Sequence, residues 1–180
     1  MRRQAGFTLV ELLIGLVILS ILVAVAAPSF STAMAQQRLR QASSELRSTV
    51  AIARSEAVKR NAQVRLLPRT GGWSNGWCVE ESATASACTT SPLSERVLGS
   101  SISVSGQTVG GTAITSVNLN SWGRPTSGCP KFQFSTSATS STCTVCLTVL
   151  SDGRVLTESG ACDGSCTGTD SQTAWRDTCS

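Results

Sequence analysis

From Phe7 to Ala27 the chain runs for 21 residues with one charge, Glu11. An apolar helix of about 20 residues spans the hydrocarbon of a bilayer, so this run fixes what the rest of the chain can be. Arg2 and Arg3 stand in front of it, and no further basic residue occurs before Arg38. That asymmetry places the N-terminus in the cytoplasm and the remainder across the membrane. A cleavable export signal has a similar composition, and small residues do occur at Val23-Ala24-Val25-Ala26-Ala27. Two features oppose that reading. The helical pattern continues past these residues without a break, and Glu11 lies inside the segment, where a charge costs about 3 kcal/mol on insertion scales. A carboxylate retained at that cost implies a partner elsewhere.

The length of 180 residues suits one domain plus an anchor. Beyond Pro28 serine, threonine and glycine dominate, charges are few, and the chain has no His and no Tyr. The commonest general base and neutral metal ligand are therefore missing, no nucleophile–base pair stands out, and neither an enzyme nor a cofactor or metal site is expected. The net charge of +4 is unevenly divided. Eight basic residues from Arg38 to Arg69 face only Glu45 and Glu56, giving that stretch +6. From Thr70 onward five basic residues face eight acidic ones, leaving −3.

From Ser29 to about Asn61 the helix is expected to continue. Leu39, Ala42, Leu46, Val50, Ala53 and Ala57 recur at three- and four-residue steps, an apolar stripe that a sheet of the same chain would cover. Arg38, Arg40, Arg47, Arg54, Lys59 and Arg60 occupy the remainder and read as a solvated face, with Glu56 and Arg60 spaced as an i,i+4 pair. A helix from Phe7 to Asn61 would be about 80 Å long at 1.5 Å per residue.

The rest reads as β structure. Strands are expected at 63–67, 95–98, 101–104, 114–119, 131–134, 144–150 and 154–157. Asn75-Gly76 reads as a turn between Trp73 and Trp77, Asp152-Gly153 as a hairpin turn, and the Ser/Thr-rich 135–142 as a loop. The predicted fold class is α+β: a long N-terminal helix, transmembrane then amphipathic, packed on an antiparallel β-sheet head rich in disulfides. Core packing is the default for most of the tryptophans.

Gly6-Phe7-Thr8-Leu9-Val10-Glu11-Leu12 resembles the class III signal of the type IV pilin superfamily, G-F-[ST]-L-x-E. The resemblance implies cleavage by a prepilin peptidase between Gly6 and Phe7, methylation of the new N-terminal Phe7, and assembly through Glu11. In a low-dielectric membrane Glu11 would attract the terminal amine of the neighbouring subunit, relieving two desolvation costs and setting axial register. Pro28 sits where pilins carry a helix-loosening proline. The segment Ala51 to Val64, AIARSEAVKRNAQV, is similar to that of the FimT/FimU-like minor pilins and the type II secretion minor pseudopilin H, which share one domain family.

The implied organisation is a leader at 1–6, a transmembrane and polymerisation helix at 7–28, an amphipathic stalk at 29–62, and a periplasmic β-rich head at 63–180. The implied partners are other pilins or pseudopilins, the prepilin peptidase and the inner membrane. The implied role is a structural and priming subunit of a type IV pilus or a type II secretion pseudopilus.

Two short motifs extend the resemblance: Trp122-Gly123-Arg124-Pro125, like the family's F-x-x-x-G-x-P turn, and Asp152-Gly153-Arg154-Val155. The second lies where some FimT proteins carry G-R-x-R, linked to DNA binding in natural transformation. Here Leu156 replaces the second arginine. The alternative function, a DNA-binding minor pilin, would set Arg124, Arg154 and Arg176 against phosphate. The head charge of −3 opposes it, and nucleic acid is not the expected partner.

Eight cysteines lie in the head: Cys78, Cys88, Cys129, Cys143, Cys146, Cys162, Cys166 and Cys179. Cys143-x2-Cys146 with Cys162-x3-Cys166 mimics a zinc ribbon, and a C-x-x-C can be a redox pair. A head beyond the membrane meets an oxidising compartment, and the CTVC lies in a strand whose residues three apart point to opposite faces, so disulfides are expected instead. Eight cysteines allow 105 pairings. Cys78 with Cys88 is the local expectation, and Cys179 is expected to tie down the tail from Gly160.

Overall fold

The computed structural model describes residues 7–81, 84–89, 91–99, 101–137, 142–162 and 166, without the side chains of 25–29 and 137. Helix α1 runs from Leu9 to Arg60, 52 residues, about 78 Å at the standard rise. It passes Pro28 without interruption. Thr8 caps its start in extended backbone geometry, its Oγ1 accepting the Glu11 N–H at 3.3 Å. Asn61 ends it in the left-handed region (φ 48°, ψ 41°), a conformation that asparagine tolerates better than most residues. Ala62 N–H then returns to the Ala57 carbonyl at 3.2 Å and closes the end.

Two four-stranded antiparallel sheets follow. β1 (Val64–Pro68), β2 (Gly76–Glu80), β3 (Ser94–Val97) and β5 (Val117–Leu119) form the first, in the order β3-β2-β1-β5. β4 (Ser103–Gln107), β6 (Lys131–Ser137), β7 (Thr142–Val149) and β8 (Val155–Ser159) form the second, in the order β4-β6-β7-β8. The apolar stripe of α1 lies against both sheets, and Leu39, Ala42, Leu46, Val50, Ala53 and Ala57 are all buried. Two aromatic pairs meet edge to face: Trp77 with Phe134 joins the two sheets at 6.5 Å between ring centroids, and Trp73, in the turn before β2, packs on Phe132 of the second sheet at 4.8 Å. The buried Trp77 Nε1–H donates to Thr49 Oγ1 at 3.0 Å, and Thr49 donates to the Glu45 carbonyl at 2.8 Å. A polar relay thus fixes the register of helix against sheet.

The structure corrects the strand reading in three places. A turn was expected at Asn75-Gly76 and no strand after it. Instead a short 3-10 turn, Trp73–Asn75, precedes the glycine, and Gly76 opens the strand. All five residues of β2 are buried because it lies inside its sheet, so no alternation marks it in the sequence. The Ser/Thr-rich 135–142 was expected as a loop, of which 138–141 lie outside the described residues. Ser135, Thr136 and Ser137 instead extend β6, opposite Thr144, Cys143 and Thr142. Thr136 is buried without penalty because its Oγ1 donates to the Ser101 carbonyl at 2.7 Å. The strand expected over 114–119 is shorter, since Ile114 N–H bonds Gly106 of β4 while 117–119 pair with β1. That segment changes sheets midway.

Candidate functional site

Two features set the upper part of the molecule apart from the lower: a helix with no partner along its first half, and a helix fastened to two turns along its second. In the first half Leu9, Val10, Leu12, Leu13, Ile14, Leu16, Val17, Ile18, Leu19, Ile21, Leu22 and Val23 are all exposed, between 52% and 74%. Phe7 is 83% exposed. Nothing among the described residues covers this surface. Among the described residues no helix is long and apolar enough to cross a membrane; the side chains described in the run reach Ala24 and resume at Phe30.

Glu11 stands in the first turn of α1, where the partial positive charge of the helix end favours a carboxylate. Thr8-Leu9-Val10-Glu11 has the spacing of a capping box, a signal legible in the sequence that charge counting passes over. Its carboxylate meets no cation among the described residues. Gly6 lies outside them, and Pro28 is described in backbone only.

In the second half Arg54 departs from the solvated reading of the stalk arginines. It is half-buried, its Nε–H donating to the Gly123 carbonyl at 3.0 Å and its Nη1–H to the Gly153 carbonyl at 2.6 Å. One guanidinium thereby joins the AIARSEAVKRNAQV segment to both short turn motifs, which lie 69 and 99 residues away in sequence. Gly123 (φ +71°) and Gly153 (φ +84°) are buried and hold a left-handed conformation. A Cβ at Gly153 would stand 2.7 Å from Arg54 Cζ, and one at Gly123 3.2 Å from Arg54 Cβ. Glycine is needed at both turns so that bare backbone can approach the arginine. A helical wheel cannot show this contact, but two glycines in separate turns were the available hint.

The residues considered for DNA contact are not brought together as a phosphate site. Arg154 Nε–H donates to Asp152 Oδ2 at 2.6 Å, while its backbone N–H donates to Asp152 Oδ1 at 2.8 Å. Those two bonds, backbone first, hold the Asp152 carboxyl below its ordinary range. Arg124 is exposed at the other turn, where Asn120 Oδ1 accepts its backbone N–H at 2.9 Å. Arg176 lies outside the described residues.

At the end of α1, Arg60 Nε–H donates to Glu56 at 2.9 Å and its Nη1–H reaches Glu81. The bond to Arg60 is the main cause holding the Glu56 carboxyl low.

Cys78 is bonded to Cys88, Cys129 to Cys166 and Cys146 to Cys162, and Cys143 is disulfide-bonded as well. The cysteines with ribbon-like spacing are thus committed to sulfur. Cys143 packs into the core under the helix, whereas Cys146 three residues on reaches Cys162 beside the last strand. The expectation for Cys179 falls outside the described residues, as does Trp175. Trp73 and Trp77 are core residues, whereas Trp122 is 74% exposed.

Residues 42–161 match the family model described as type II transport protein GspH. The chain belongs to the GspH family. Residues 1–27 match a second model, the prokaryotic N-terminal methylation motif. The GspH match takes in Arg54, Gly123 and Gly153 together, so the clamp lies wholly within the family domain.

The structure is similar to two crystal forms of the type IV minor pilin FimU from Pseudomonas aeruginosa strain PAO1. One is 19% identical, covering 68% of this chain and 89% of that one with a TM-score of 0.55. The other is 20% identical, covering 67% and 92% with a TM-score of 0.53. These likenesses establish the minor-pilin fold. No curated protein sequence matches the chain significantly. Members of the GspH family are structural subunits of a pilus or pseudopilus rather than enzymes. They are membrane-anchored and assemble with other pilin subunits into filaments.

Proposed function

We propose that this GspH-family chain is a minor, priming subunit of an envelope-spanning filament, anchored in the inner membrane until assembly. In this reading prepilin peptidase removes residues 1–6, and Phe7 becomes a methylated N-terminus. Residues 7–28 serve as anchor and polymerisation helix, 29–62 as stalk, and 63–180 as the periplasmic head. The observation that carries the reading is the contrast within α1. The face from Ala35 to Ala57 is buried by the chain's own sheets, while the large apolar side chains from Leu9 to Val23 stay more than half exposed. Apolar surface on that scale is stable only in lipid or against other copies of the same kind of helix.

Glu11 then has a defined task. In lipid an unpaired carboxylate is costly, and the amine at Phe7 of a neighbouring subunit relieves the cost only when the two helices are in axial register. Glu11→Val should leave the protein in the membrane yet absent from sheared filaments. Normal incorporation of that variant would remove the basis for the pairing.

The machine served is either a type IV pilus or a type II secretion pseudopilus. The cysteine-rich head favours the pilus, since each disulfide adds a few kcal/mol to a thin core standing outside the cell. A DNA-uptake role has no comparable support, because Arg154 is engaged by Asp152.

A further inference from the structure

Trp122 is the largest exposed side chain of the described head, and its position is built rather than loose. Asn120 Oδ1 accepts the N–H groups of Trp122 at 3.1 Å and Arg124 at 2.9 Å, and the Asn120 carbonyl accepts Gly123 N–H at 2.8 Å. Arg54 fastens the same turn to α1 from below. The indole is therefore offered to solvent from a fixed frame. Beside it opens a groove of about 430 Å³ whose floor is the α1 face of Ala51, Ser55 and Val58, with Lys59 at the rim. Val58 is 57% exposed.

That floor belongs to a longer strip. Gln37, Ser44, Ser48, Ala51, Ser55 and Val58 follow on the side of α1 away from the sheets, all exposed and none charged. Ser48 and Ser55 turn their hydroxyls back onto the carbonyls of Glu45 and Ile52, both at 2.8 Å, so they offer a partner little polarity. On the same helix the Leu9–Val23 segment is exposed as well, the surface through which the filament reading already requires contact with other subunits.

Resting on that filament reading, we propose that Trp122 and the Ala51-Ser55-Val58 groove form the head-level contact with an adjacent pilin-fold subunit. The occupant is an adjacent subunit of the filament rather than a small molecule. The groove is open, its one guanidinium is committed to Gly123 and Gly153, and it lies on the same helix as the exposed Leu9–Val23 surface. A rigid tryptophan beside small residues is the form that interface anchors take.

The test uses the full chain in its producing cell, with the photo-cross-linker p-benzoylphenylalanine placed at position 122. The same probe goes at Val97, which is 66% exposed in a separate groove with Arg69 and Thr70. In sheared filaments the probe at 122 should give a cross-linked product whose second peptide comes from a subunit bearing the G-F-[ST]-L-x-E leader, and the probe at 97 should not. Trp122→Ala should lower filament content about tenfold with membrane content unchanged. Filaments that contain the chain but give no subunit cross-link from 122, or that incorporate Trp122→Ala normally, would overturn the proposed contact while leaving the filament reading intact. Absence of the unaltered chain from filaments would bring down the filament reading, and this contact with it.

Discussion

Replacing Arg54 by alanine removes two charged hydrogen bonds, to the Gly123 carbonyl at 3.0 Å and the Gly153 carbonyl at 2.6 Å. A hydrogen bond to a charged group contributes about 1.5–3 kcal/mol, so the pair has a ceiling of about 3–6 kcal/mol. Arg54 is only half-buried, and water can enter the vacated space to reach the carbonyls, which lowers the expectation to about 2–4 kcal/mol. For a chain of this size each kcal/mol moves Tm by about 2–4 °C, so Arg54→Ala should melt roughly 5–15 °C lower. The assay is thermal unfolding of the full chain in detergent, followed by tryptophan fluorescence. Arg54→Lys should recover only part of the loss, because an ammonium cannot serve two carbonyls in the fixed fork of a guanidinium. Gly153→Ala should act on the same joint from the other side, combining left-handed strain with the 2.7 Å approach to Arg54 Cζ. A drop below about 2 °C for Arg54→Ala would refute the reasoning that this arginine holds the head to the helix.

Thr49→Val leaves the Trp77 indole N–H buried without its acceptor and should cost about 1–3 kcal/mol in denaturant unfolding, with Thr49→Ser near wild type. Removing Cys78 and Cys88 together opens a loop of sequence separation 10 and should lower stability by about 2–3 kcal/mol, seen as a matching fall in Tm. Asp152 and Glu56 both have carboxyls held low in the folded state. Their contribution is therefore present above the unfolded carboxylate pKa and is lost as pH falls through the folded value, below about pH 4. A Tm–pH profile should lose part of its acid-side slope in Asp152→Asn; an unchanged slope would show that the Asp152–Arg154 pair adds nothing.

Local and periodic features were the legible ones. The stripe from Leu39 to Ala57 announced which face of α1 the sheets would bury, because a 3.6-residue period survives whatever covers it. The strands with one wet face were found nearly in place. β2 was not, since burial on both faces erases alternation and Asn75-Gly76 carries a genuine turn signal. Thr136 misled for a different reason: its polarity is satisfied by a carbonyl 35 residues away, which composition cannot reveal. The same limit hid the Arg54 clamp, whose two acceptors come from turns distant in the chain. The N-terminal methylation motif, which includes Glu11, was legible because its information is contiguous.

The central claim is that the apolar half of α1 exists to be stacked against other subunits after the leader is removed. Intact-mass measurement of the natively produced protein tests it most directly. The account predicts a chain that has lost Met1 to Gly6 and begins at Phe7 with one added methyl group. A full-length chain, or one trimmed near Ala27, would contradict it.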